Sequence, residues 1–258
     1  MAKKNSKKNK LKFDKITIAG KISIFFFKGL IFFFALSIGS VVLFRFVPVY
    51  FTPLMFIRMY EQHKDGKEIK LERDWTPIEN ISPNMYRAVM GAEDSQFLEH
   101  NGFNTKAIAE AIEYNSKQKK KNSSKLRGGS TISQQTAKNV FTLCDRSFIR
   151  KGFETYFTFL IEFCWTKERI MEVYLNIVEL GDGIYGVESA AKKYYHTTAK
   201  NLTKKQAASL AVCLPRPLKR NPNNLPSSLI RVRNRIISDI YYFEYRKITL
   251  RQENDKKE

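Results

Sequence analysis

Two stretches of this 258-residue chain hold side chains able to move a proton or hold an anion. The first is Gly91-Ala92-Glu93-Asp94-Ser95-Gln96-Phe97-Leu98-Glu99-His100-Asn101-Gly102, where two adjacent carboxylates close a largely apolar run. A carboxyl partly withdrawn from water is pushed up in pKa and can act as an acid or base. A solvated helix end would show the same pattern. The second is Arg127-Gly128-Gly129-Ser130-Thr131-Ile132-Ser133-Gln134-Gln135-Thr136-Ala137-Lys138-Asn139. Its glycines permit close backbone approach, and Thr131 with Gln134 has capping-box spacing. The free N–H groups and dipole of a helix starting there favour an anion. Thr131, Gln134/Gln135 and Lys138 fall on one helical stripe, with Arg127, Arg146, Arg150 and Lys151 as further cations. Phosphate or pyrophosphate is the ligand class this chemistry suits, and an ordinary capped surface helix is the alternative.

The elements that must position these groups are helical. Ser82-Pro83 is an N-cap followed by proline at the first helical position. Ile108 and Ile112 mark a helix over Thr105–Asn115, and the basic run 117–125 is expected as a solvated loop. The Thr131 box opens a helix to about Phe141, and a second box, Thr203 with Gln206, opens one to about Cys213 before Pro215. Segment 147–177 is helical with a break near Trp165-Thr166, and Ser227–Tyr245 is a final amphipathic helix. No convincing alternating strand is visible. The domain is predicted to be mainly α-helical.

Residues 1–28 hold nine Lys against one acid, Asp14, and Ile22–Phe44 contains one charge, Lys28. A helix of about 20 apolar residues spans a bilayer, and Lys28 and Arg45 can snorkel to its two faces. The run is too long and too Phe-rich for a cleaved signal peptide. The positive-inside rule keeps the basic tail in the cytoplasm, so nucleic acid is not an expected partner of the rest, despite a net charge of +20. The expected organisation is a basic tail over 1–21, an anchor over 22–44, a membrane-proximal connection over 45–74, one domain over 75–245 and a charged tail over 246–258. Cys144, Cys164 and Cys213 have no C-x-x-C spacing, and His63, His100 and His196 do not cluster, so neither a zinc site nor a disulfide framework is suggested.

The sequence resembles the peptidoglycan glycosyltransferases, the family that includes the glycosyltransferase domains of bifunctional penicillin-binding proteins, and most of all its monofunctional biosynthetic transglycosylases. The stretches that carry the likeness are EDSQFLEHNG (93–102), RGGSTISQQTAKN (127–139), RKGFE (150–154) and KERIMEVYLNIVELGDGIYGVESAAKKYY (167–195), with QAASLAVCLPRP (206–217) weaker. They stand in the family's order and cover about residues 75–235. The resemblance implies a lysozyme-like helical domain behind a single transmembrane helix. It implies that Glu93 is the catalytic base, taking the proton from the acceptor sugar's 4-hydroxyl as that oxygen attacks C1 of the growing chain. Glu154 matches the second catalytic carboxylate. Lys138, Arg146 and Lys151, with Arg127 and Arg150, would neutralise the departing lipid pyrophosphate. Ser130, Thr131, Gln134, Gln135 and Asn139 would line the sugar and phosphate path, with Asp94 and Phe97 supporting. Glu162, Glu168, Glu172, Asn176 and His100 read as structural, and Tyr185-Gly186 as a turn. The reaction inverts the anomeric centre, giving a β-1,4 bond from lipid II.

A divalent cation, Mg²⁺ or Mn²⁺, could bridge the pyrophosphate, and the sequence shows no closed metal cage. The implied partners are lipid II, the growing lipid-linked glycan, the membrane, and cross-linking transpeptidases and division proteins. The implied location is the inner membrane with the catalytic domain on the periplasmic side. The Phe-rich stretch from Phe148 to Phe163 is either core or a face that dips into the outer leaflet. Leu143-Cys144-Asp145, Tyr195-His196-Thr197 and the basic run at 117–125 depart from the family pattern. With no transpeptidase segment after the last helix, peptide cross-linking is not expected. The alternatives are a lysozyme-like lytic enzyme and a non-enzymatic membrane scaffold of cell-wall assembly.

Overall fold

The computed structural model describes residues 2–120, 128–143 and 147–250. Contacts divide the chain into two compact units, 1–46 and 47–258. The first is a single helix, α1 (Ala2–Phe46), of which Ser23–Phe46 has a mean hydropathy of 2.1 and is long and apolar enough to cross a membrane.

The second unit is built from nine further α-helices among the described residues, with one small sheet. Its first helix, α2 (Pro53–Lys64), lies inside the segment expected to be a mere connection. Pro53 sits in the first turn, where a missing N–H costs nothing, and Met55 and Gln62 are buried. The helix packs against the helix that follows the Gly-Gly pair. Contacts group this helix with the second unit.

Three helices form one half of the core. α3 (Pro83–Glu93), capped by Ser82, packs against α9 (Lys204–Cys213) and α10 (Ser227–Tyr245). α10 buries Ile236, Ile240 and Phe243, a single stripe at helical spacing. The other half centres on α5 (Ile132–Phe141), which packs against α6 (Phe148–Cys164) and α7 (Lys167–Ile177). Phe141 stacks on Phe157 with ring centroids 4.5 Å apart, joining the end of α5 to the middle of α6. The break between α6 and α7 falls at Trp165-Thr166, as the sequence predicts, and the Thr166 side chain caps α7.

α4 (Thr105–Lys120) runs five residues beyond the expected end and takes in the start of the basic run. Lys and Gln are good helix formers, and Lys117 pairs with Glu113 one turn back at 2.6 Å. Residues 121–125 of that run lie outside the described residues. A three-stranded sheet also corrects the expectation of no strands. β1 (Glu72–Arg73) pairs in parallel with β3 (Ile184–Tyr185), and β2 (Glu179–Gly181) pairs antiparallel with β3. Strands of two or three residues are too short to show alternation, so the pattern leaves no trace in the sequence. α8 (Val187–Tyr195) follows the sheet, and Gly186 before it has φ +80°; a Cβ there would meet the Asn176 carbonyl oxygen at 2.7 Å.

Candidate active site

Glu93 closes α3 and is half-buried. Its carboxylate accepts a hydrogen bond from Gln135 Nε2 at 2.8 Å, across from α3 to α5. The Gln135 carbonyl oxygen faces the Tyr174 hydroxyl of α7 at 3.5 Å. Burial pushes the Glu93 carboxyl above the usual carboxylate range; the Gln135 bond, Lys138 and Arg220 pull it back, while Asp94 adds to the rise. Tyr174 is fully buried, and its hydroxyl is held well above the ordinary phenol range by burial and by the Glu93 charge.

Asp94 points the other way. Both its oxygens lie 3.0 Å from His100 Nε2, and one accepts from the backbone N–H of Ile132 at 3.1 Å. The N-terminus of α5 thus has its anion already, supplied by the protein itself. Expected near the substrate, Asp94 is a buried clamp between α3 and α5. Thr131 and Gln134 are likewise spent on the fold. They form the reciprocal capping box, and the Thr131 hydroxyl donates to the Gly102 carbonyl at 2.7 Å. Phe97, expected to contact substrate, is fully buried, with the Lys167 ammonium 4.7 Å from its ring centre. Large apolar side chains at such positions are taken by the core, which local sequence cannot distinguish from a pocket wall. Gly129 approaches α4, not open space: a Cβ there would lie 3.3 Å from Ala111 and Ile108.

The expected structural group is tied into the same scaffold. Glu162 of α6 accepts from the Ser133 hydroxyl and pairs with Lys167 at 2.8 Å, and Lys167 also donates to the His100 carbonyl. Glu172 pairs with Arg169 at 2.7 Å, and Asn176 exchanges hydrogen bonds with the backbone of Thr76.

Glu154 lies on the inner face of α6, 3 % exposed. Burial of an ionised carboxylate is costly unless it is paired, and here Arg150 Nη1 at 3.3 Å and the Lys151 ammonium surround it. A cavity of about 400 Å³ is lined by Gln135, Lys138 and Asn139 of α5, Arg150 of α6, Leu54 and Arg58 of α2, and Glu179 at the start of β2. Gln135 and Arg150 link this cavity to the two carboxylates, since one is bonded to Glu93 and the other to Glu154. Ser130 is exposed just ahead of α5, and Lys151 is half exposed. Arg127 and Arg146 lie outside the described residues. Tyr174, Arg58 and Glu179 are absent from the sequence-based set of site residues. Tyr174 and Glu179 do lie in the KERIMEVYLNIVELG stretch, whereas Arg58 precedes every motif and left no signal. Among the described residues no group of three or more His, Cys, Asp or Glu could hold a metal ion.

A half-buried carboxylate of raised pKa and a second buried carboxylate among cations are thus each bonded to a residue that lines one cavity on a helical scaffold. A family model described as transglycosylase matches residues 62–241. Biosynthetic peptidoglycan transglycosylases of Bdellovibrio bacteriovorus and Bacteroides thetaiotaomicron are 49% and 48% identical over 210 and 208 residues, in each case 81% of this chain and 82% of the relative. One of the same name from Caulobacter vibrioides is 50% identical over 180 residues, 70% of this chain and 74% of its own. The chain belongs to the transglycosylase family, and its helical domain is of the lysozyme-like kind. The match begins at Gln62, in the last turn of α2.

Proposed function

We propose that this glycosyltransferase polymerises lipid II into β-1,4-linked peptidoglycan strands, releasing lipid pyrophosphate with inversion at the anomeric carbon. The observation that supports this most is the placement of Glu93, held by Gln135 at 2.8 Å beside a cavity bearing Lys138 and Arg150. Glu93 takes the proton of the acceptor 4-hydroxyl, and a carboxyl of raised pKa is a better base for that task than a solvated one. The hydroxyl oxygen attacks C1, the C1–O bond to the pyrophosphate breaks, and the electron pair leaves with the phosphate oxygen. Lys138 and Arg150 meet the charge that develops there. Glu154 keeps Arg150 and Lys151 oriented for this role. A single displacement inverts the centre with no covalent sugar–enzyme intermediate.

The membrane is the source of both substrates. α1 anchors the chain in the inner membrane with its basic tail in the cytoplasm and the catalytic unit on the periplasmic side. α6 turns Phe157 and Ile161 inward but leaves Phe148, Ile149, Phe153, Phe159 and Phe163 exposed, a face suited to entering the outer leaflet.

Incubation of detergent-purified protein with labelled lipid II, followed by gel separation, tests the reading. A ladder of long glycan from the wild type, absent for Glu93→Gln, is the expected result. No ladder from a folded wild type across detergents and divalent ions would favour the scaffold alternative.

A further inference from the structure

No sequence motif marks α2, yet it contributes to the wall of the cavity. Arg58 sends its guanidinium into the wall of the 400 Å³ cavity that also holds Lys138 and Arg150. Two carboxylates hold it unequally. Glu179 is buried, with its side chain 6 % exposed, and lies 3.2 Å from Nε and 3.4 Å from Nη2. Glu61 is half exposed and accepts from Nη1 at 2.7 Å. A solvent-facing ion pair contributes little, so the Glu61 edge can be exchanged for another anion at small cost. The Glu179 edge cannot, because separation would strand a buried carboxylate. Glu179 is itself steadied by the Tyr185 hydroxyl at 3.4 Å. The outcome is a guanidinium fixed along one side, with donors free to be recruited along the other, which is the geometry suited to a phosphate group. Leu54, one turn earlier on α2, lies in the same wall and places apolar surface beside the cation, as an anion carried on a lipid chain requires.

We propose that Arg58 is a binding residue for the lipid pyrophosphate, contacting a phosphate through its Nη1 edge while Glu179 anchors the guanidinium. The proposal rests on the reading of the cavity as the pyrophosphate site. It assigns to α2 a direct part in holding the donor, and it divides the cationic work among three helices: Arg58 on α2, Lys138 on α5 and Arg150 on α6. Glu61 is then a placeholder for the phosphate.

The test is a calorimetric titration of the full chain in detergent with undecaprenyl pyrophosphate and undecaprenyl monophosphate. It compares wild type, Arg58→Lys, the charge-neutral pair Arg58→Met with Glu179→Gln, and Glu61→Gln. Loss of the fork is expected to weaken pyrophosphate binding about tenfold in both Arg58 variants, as for one charge-assisted contact. Monophosphate binding should change less. KM for lipid II should rise with kcat nearly unchanged, since the contact is made in the bound state and the transition state alike. Glu61→Gln, which removes an exposed carboxylate and leaves the fold alone, should tighten pyrophosphate binding about threefold, the scale of one surface ion pair. Pyrophosphate binding within twofold of wild type in the folded variants, Glu61→Gln included, would make Arg58 a packing anchor only and overturn the proposal. Should the Arg58 variants fail to fold, Glu61→Gln decides alone, unchanged binding counting against the proposal. A wild type that neither binds pyrophosphate nor makes glycan would instead refute the reading of the cavity.

Discussion

Replacing Asp94 with Asn exchanges one carboxylate oxygen for an NH₂ group and leaves shape and volume almost unchanged. In the wild type that carboxylate serves two donors at once, the Ile132 N–H at 3.1 Å and His100 Nε2 at 3.0 Å, with its side chain only 2 % exposed. An Asn amide oxygen can serve one of them well, while its NH₂ faces the other. One charge-assisted bond in a buried place is lost, worth about 1.5–3 kcal/mol. In a domain of this size each kcal/mol moves Tm by about 2–4 °C, so Asp94→Asn should melt about 3–12 °C below wild type. The geometry sets a second consequence. The clamp fixes the start of α5 against the end of α3, and Gln135 on α5 holds Glu93 on α3 at 2.8 Å. Misplacement of reacting groups by about 1 Å can cost as much as 10²-fold in rate, so kcat should fall by about 10–100-fold in protein that remains folded below its Tm. Circular-dichroism melting beside single-turnover polymerisation of lipid II reads both. A melting point within about 1 °C of wild type with unchanged kcat would refute the clamp. A lowered Tm with full activity would keep the clamp in the fold and remove it from catalysis.

Other outcomes follow from the same geometry. Glu93→Gln should lower the polymerisation rate about 10²–10⁴-fold, the usual contribution of a general base, and the acid limb of the wild-type pH–rate profile should lie above the ordinary Glu value of 4.5. The stability sign is fixed by the raised pKa: the wild type keeps its full stability below about pH 4.5 and loses some as pH rises through the raised value. Urea denaturation at pH 4 and pH 8 should therefore show Glu93→Gln gaining on wild type only at the higher pH. Thr131→Ala removes one half of the α5 capping box and the bond to Gly102, and should cost about 0.5–2 kcal/mol in urea unfolding. Phe148→Ser with Phe163→Ser removes two side chains that are 98 % and 81 % exposed. In a truncated chain lacking α1, if it folds, vesicle flotation should weaken at least about tenfold, since full burial of one Phe is worth about 1.5–3 kcal/mol. Thermal stability should be nearly unchanged.

What was legible in the sequence is what short-range physics decides. Capping boxes act over three residues, so Thr131 with Gln134 and Thr203 with Gln206 announced the starts of α5 and α9 without help from the rest of the chain. The buried stripe of α10 and the break at Trp165-Thr166 are local in the same way. The apolar run behind α1 needs only length and composition. The candidate carboxylates Glu93 and Glu154 were also visible, because their motifs are contiguous.

Which face of a helix meets a substrate is decided elsewhere. Gln134 and Gln135 are neighbours in sequence, yet one is consumed by its own cap while the other reaches Glu93, 42 residues away. Asp94 and Glu93 diverge because the chain leaves the helix between them, Asp94 having φ −160° and ψ 80°, and only the packing of α5 on α3 shows which of them meets a backbone N–H. The two- and three-residue strands exist because partners from distant segments pair their backbones, and no pattern that short can be read in advance. Arg58 reaches the cavity wall through the docking of α2, with a contact to Glu179 that spans 121 residues. The sequence by itself determined most of the helices, α2 and α8 excepted, and nominated the chemistry; tertiary packing decided which of the nominated side chains face one another, because helical direction is local and proximity is not.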